Sequence, residues 1–193
     1  MVDLAASFAL MALISRSFPG QFPARAHKAF GGAQLASSAL LSLGHGGNDS
    51  QKTIGIITAL LFANGFLGAA FHVPWFVAVA SYLAMGLGTL MGGWRIIKTL
   101  GEKVTKLDRS MGTAAEVGAG AAIMLSTWLG VPVSTTHVVT GSVTGVGAAH
   151  NGAKSVKWKT LGKIAWAWAL TIPFAALSSG LLYLLFTVLL RLA

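Results

Sequence analysis

The chain has 193 residues, of which 54% are hydrophobic and only 10% charged, and its mean hydropathy is +0.71. Soluble domains carry about 25% charged residues, so an ordinary water-soluble domain is excluded, and with no cysteine present so is any disulfide. The net charge of +9 would suit nucleic acid, but the lysines and arginines gather in short clusters between apolar runs, as the positive-inside bias produces at cytoplasmic loops; no nucleic-acid partner is expected.

Residues 2–14 are apolar but short, and Asp3 stands where a signal peptide would be basic. A basic loop over 16–28 follows, with Arg16, Arg25, Lys28, Pro19 and Pro23. Residues 29–43 read as a helix rich in Ala, Ser and Gly, interrupted at Gly44, and residues 53–71 and 74–92 as two further helices. Residues 75–91 and 164–190 carry no charge; uncharged runs of about 18 residues or more are transmembrane candidates, and several in one chain make it a polytopic membrane protein. Over 94–109, Trp94, Ile97, Leu100, Val104 and Leu107 recur every three or four positions among Arg95, Lys98, Lys103, Lys106 and Arg109, which predicts an amphipathic helix lying in the interface.

Residues 111–129 are helical again, "GVPVSTTH" at 130–137 breaks the helix, and 138–149 resumes it. Each arm is short for a crossing of about 20 residues. Basic loops flank the pair, at 95–109 and at Lys154, Lys157, Lys159 and Lys163. A re-entrant hairpin that leaves both loops on the cytoplasmic face is therefore predicted. The last run, from about Ile164, contains Pro173 and should be one long, kinked helix, with Trp158, Trp166 and Trp168 as an aromatic belt near its cytoplasmic end. For the 16–28 loop to be cytoplasmic as well, either 29–43 does not fully span or two of the segments before residue 95 act as one.

Two breaks carry the polar chemistry. Broken helices at membrane depth are tolerated where they are buried in protein or line a polar cavity, and in transporters they form substrate and ion sites. At the first, "GHGGNDSQKT" (44–53), Gly44, Gly46 and Gly47 loosen the backbone and Asn48, Asp49 and Ser50 can cap the resuming helix. Asp49 is costly inside a bilayer unless paired; with Asn48 and backbone carbonyls it could ligate a hard cation, or it could form an internal salt bridge with Lys52, three residues on. At the second, Pro132 interrupts and Ser134 is a natural N-cap. The N–H groups of Thr135, Thr136 and His137 would then head a helix that favours an anion, and the hydroxyls of Ser134, Thr135 and Thr136 suit a tetrahedral oxyanion. His137 could pair with that anion or hydrogen-bond the turn. His45 and Asp49 are four apart, a spacing open to metal ligation, but no second acid or cysteine supports it, and no metal is expected. Ser134 with His137 as an intramembrane protease lacks a nucleophile motif; no enzyme is expected. Gly141, Gly145, Gly86 and Gly88 read as close helix-packing positions.

"SLGHGGNDSQKTIGIIT" and "GVPVSTTHVVTGSVTGVG", with "AMGLGTLMGGWRIIKTLGEKVTKL" between them, resemble the inorganic phosphate transporter (PiT) family, most closely the second half of its shorter bacterial members. The departures are Ser50 and Ile54, where Ala and Met would be expected. The resemblance implies an all-α membrane protein with broken helices and a re-entrant hairpin, one repeat of an inverted-repeat transporter, multi-pass in the inner (plasma) membrane. It implies Ser134, Thr135 and Thr136 as phosphate ligands with Gln51 as a further donor, Asn48 and Asp49 at the coupling-cation sites, Lys52 and His137 as accessory groups, and no cofactor beyond a coupling ion, sodium or proton. Only one Asn-Asp motif and one hairpin are present. Residues 1–193 are therefore read as a single transmembrane unit, the C-terminal half of a longer or split symporter whose partner is a first-half repeat, with a higher oligomer left open. A sulfate carrier of the same family, or a fragment that does not transport without its partner half, are the competing readings.

Overall fold

The computed structural model describes residues 2–17 and 24–192, and among these it is built of helices with no strand. It comprises two compact units, Met1–Val156 and Lys157–Ala193. The first holds α1 (Val2–Ser17), α2 (Ala24–Ala63), α3 (Trp75–Lys98), a π-helical turn (Thr99–Val104), α4 (Arg109–Trp128), α5 (Thr135–Asn151) and a 3-10 turn (Ala153–Ser155); the second is α6 (Trp158–Leu192).

The largest correction to the sequence reading is at residues 44–47. There is no break there: α2 runs through Gly44, Gly46 and Gly47 for 40 residues. Asn48, Asp49 and Ser50 are therefore mid-helix residues and not caps. Glycine permits a break without compelling one, and away from water an unbroken helix satisfies each backbone group within the segment. Gly44 serves contact instead, since a Cβ there would lie 3.5 Å from Ile123 of α4. Residues 29–43 and 53–63 are thus parts of one helix, the second of the two alternatives for this region. The expected basic loop is shorter too, because residues 24–28 already belong to α2; its Pro19 and Pro23 lie outside the described residues.

Other boundaries move for local reasons. The helix expected to reach residue 71 ends at Ala63, where Gly65 (φ 77°) and Gly68 (φ 71°) adopt left-handed backbone that other residues rarely take. The amphipathic helix expected over 94–109 is composite. α3 ends at Lys98, the π turn follows, and the chain is extended at Thr105 and Asp108. Asp108 ends the stretch as an N-cap, accepting from the Met111 N–H at 2.8 Å and the Ser110 hydroxyl at 2.6 Å. α5 begins at Thr135, three residues earlier than expected, with Ser134 as its N-cap. α6 begins at Trp158, ahead of Ile164, and carries Pro173 within it.

α4 and α5 pack together through Ala119, Ile123 and Val138, with Leu41 of α2 and Val133 of the connection against them. α1 lies against this pair. Its Leu4 backbone is so close to α5 that a Cβ on Gly145 would collide with it, and Asp3 and Ser7 stand likewise against Gly141 and Gly118. Small residues let these backbones approach, as expected of Gly141 and Gly145. Gly86 and Gly88 have nothing within 4 Å and are not packing positions within the described chain. Two helical stretches are long and apolar enough to cross a membrane, Trp75–Val104 (mean hydropathy 1.5) and Trp158–Leu189 (2.0).

Candidate functional site

The unbroken α2 carries His45, Asp49 and Lys52 at i, i+4 and i+7, which puts them on one face. The start of α5 meets that face. The Thr135 hydroxyl donates to Asp49 Oδ2 at 2.8 Å, and the Lys52 ammonium donates to Asp49 Oδ1 at 2.7 Å and to the Val133 carbonyl at 2.6 Å. His45 Nδ1 lies 2.9 Å from Thr135 Oγ1 and 3.2 Å from Asp49 Oδ2. Asp49 thus holds two sequence-distant polar segments together, with both oxygens engaged.

The salt bridge weighed from the sequence is therefore formed, and the same carboxylate also bonds across to α5. Asn48 is buried and donates to Thr127 Oγ1 of α4 at 3.0 Å, while its own Oδ1 is buried with no hydrogen-bond partner. Ser134 Oγ caps the His137 N–H at 3.4 Å and lies 2.6 Å from His137 Nδ1. One of the three N–H groups expected to face an anion is thus engaged, and His137 bonds the turn, the second of its two readings. Thr135 is buried, whereas Thr136 is exposed. Gln51 is exposed on α2 and is not brought to this cluster.

A cavity of about 310 Å³ opens beside the clamp, lined on its polar side by Ser38, Ser42, His45, Glu116, Thr135 and Thr136 and on its apolar side by Leu41, Ile96, Ile97, Leu100 and Val139. Glu116 is the residue that sequence reasoning missed. Half-buried on α4, it accepts from Ser37 at 2.6 Å and Ser38 at 2.8 Å, both on α2. The available signal was an acid alone in a helix of small and apolar residues, which at membrane depth marks a functional position. Hydroxyl and imidazole donors with one carboxylate can bind an oxyanion that still carries a proton. Among the described residues no group of three or more His, Cys, Asp or Glu could hold a metal ion.

The model of the phosphate transporter family matches residues 4–179. A probable low-affinity inorganic phosphate transporter of Rhizobium meliloti (strain 1021) is 48% identical over 174 residues, which is 90% of this chain and 52% of the relative. One of the same description from Bacillus subtilis (strain 168) is 39% identical over 176 residues, covering 91% and 53%. A solved structure described as the sodium-dependent phosphate transporter superposes with a TM-score of 0.66 at 24% identity, covering 89% of this chain and 51% of that one. The chain spans about half the length of these relatives.

Proposed function

Because the chain belongs to the phosphate transporter family, we propose that it is one repeat of a cation-coupled symporter that moves inorganic phosphate across a membrane. The observation that carries this is the Asp49 clamp, which ties the His45–Asp49–Lys52 face of α2 to the Ser/Thr-rich start of α5, beside a cavity that His45, Thr135 and Thr136 line. Phosphate sits on the cavity side of Thr136, at the head of α5, where N–H groups and the helix dipole favour an anion; Ser134 and Thr135 shape the turn, and Gln51 contributes only by reorienting. Asn48 and Asp49 serve the coupling cation, and the α4–α5 pair acts as a re-entrant hairpin facing a second, inverted repeat.

Selectivity for phosphate rests on Glu116. Phosphate keeps a proton at neutral pH and can donate it to a carboxylate, which retains acceptor sites beyond its two serine bonds. Sulfate has no proton to offer and meets only like charge. The test is uptake of labelled phosphate by vesicles carrying this chain with a first-half repeat. Saturable uptake that requires a cation gradient and resists excess sulfate is expected; sulfate uptake or competition at equal concentration would overturn the phosphate assignment.

A further inference from the structure

Lys52 is placed unlike an ordinary surface lysine. Its ammonium sits between Asp49 Oδ1, at 2.7 Å, and the backbone carbonyl of Val133, at 2.6 Å. A carboxylate oxygen and a backbone carbonyl are the ligands a hard cation takes, and Lys52 spans both from its own helix. The remaining oxygen of Asp49 already accepts from Thr135 and faces His45. A sodium ion entering here would either displace the ammonium or lie beside a like charge.

We propose that Lys52 is the built-in cation of this site: its ammonium takes the oxygens of Asp49 and Val133 that sodium would need, so the α2–α5 clamp closes without sodium, and removing the ammonium creates a sodium site. This rests on the reading of Asp49 as a coupling-cation position. It makes Lys52 a residue that sets ion specificity at this repeat: sodium can reach the Asp49 position only where the ammonium has left it.

The test uses the purified 193-residue chain in detergent, its unfolding followed by the fluorescence of its six tryptophans while sodium chloride replaces choline chloride at constant ionic strength, with potassium chloride as control. The natural chain should show no sodium-specific shift. Lys52→Met should gain a saturable one of roughly 3–6 °C at about ten times the sodium Kd, and Asp49→Asn with Lys52→Met should lose it. Lys52→Gln serves where Lys52→Met does not fold. A saturable sodium-specific shift in the natural chain, or none in a folded Lys52 variant, overturns the proposal. A parallel titration with inorganic phosphate in choline medium tests the anion cavity separately: no phosphate response there would count against the cavity while the sodium comparison still decides the role of Lys52.

Discussion

Thr135 and Thr136 are neighbours with different duties, and substitution should separate them. Thr135 is buried, and its hydroxyl is committed to Asp49; Thr136 is exposed and lines the cavity. Thr135→Val keeps the shape but removes one donor to the half-buried Asp49 carboxylate, and losing such a hydrogen bond costs about 1–3 kcal/mol. Its melting temperature should fall by roughly 2–4 °C for each kcal/mol lost. Thr136→Ala should leave the melting temperature near its original value and weaken phosphate binding by about fivefold to 150-fold, the same energy range read as affinity. Calorimetry of both variants checks the split; equal losses of stability and affinity in the two would refute it. At this scale the sequence was informative where chemistry is local. Ser134 as N-cap and the Asp49–Lys52 pair both depend on residues three positions apart. Glu116 was not legible, because its partners Ser37 and Ser38 lie 79 and 78 residues away and only the packing of α4 on α2 unites them.

Among the elements, the glycines divide by what stands opposite them. Gly145 faces the Leu4 backbone, which cannot turn aside as a side chain could, so Gly145→Ala should force α1 from α5 and cost about 1–3 kcal/mol. Gly86 is mid-helix with nothing near it, and Gly86→Ala should be neutral or stabilising by up to about 1 kcal/mol. Thermal unfolding in detergent compares the two, and a Gly145→Ala chain as stable as the parent would contradict the close approach. The same distinction explains why the expected break at Gly44–Gly47 was misread. Glycine permits a bend or a contact without requiring either: Gly44 faces Ile123, while Gly46 and Gly47 run through the helix with nothing within 4 Å. The 130–134 break was legible because Pro132 removes a donor and Ser134 supplies a cap, two local facts that agree. If the α4–α5 pair is re-entrant, single cysteines at Glu102 and Asn151, both exposed in a chain without native cysteine, should react with an impermeant thiol reagent from one face only. Labelling from opposite faces would make α4 and α5 two full crossings.

At the scale of the molecule, the exposed surface indicates what the chain needs around it. α6 has no buried residue in its most apolar window, and 11% of the corresponding 18-residue window within Trp75–Val104 is buried, as suits helices facing lipid or another membrane segment. The cavity is different: Ser38, Ser42, Glu116 and Thr136 line an opening that hydrocarbon cannot satisfy. Inverted-repeat transporters close such openings with the opposite repeat, and their substrate lies between the two. A second copy of this chain would meet the first with the same membrane orientation, related by an axis along the membrane normal, and so could not supply the inverted partner without inserting both ways round. The basic groups at 95–109 and 154–163 oppose that, because a consistent Lys/Arg bias fixes one orientation. Residues 1–193 expressed alone should therefore insert without accumulating labelled phosphate, and co-expression with a first-half repeat should restore uptake. Saturable accumulation by vesicles containing only the purified chain would show that one repeat completes its own pathway, and the inverted partner would then have no place in the mechanism.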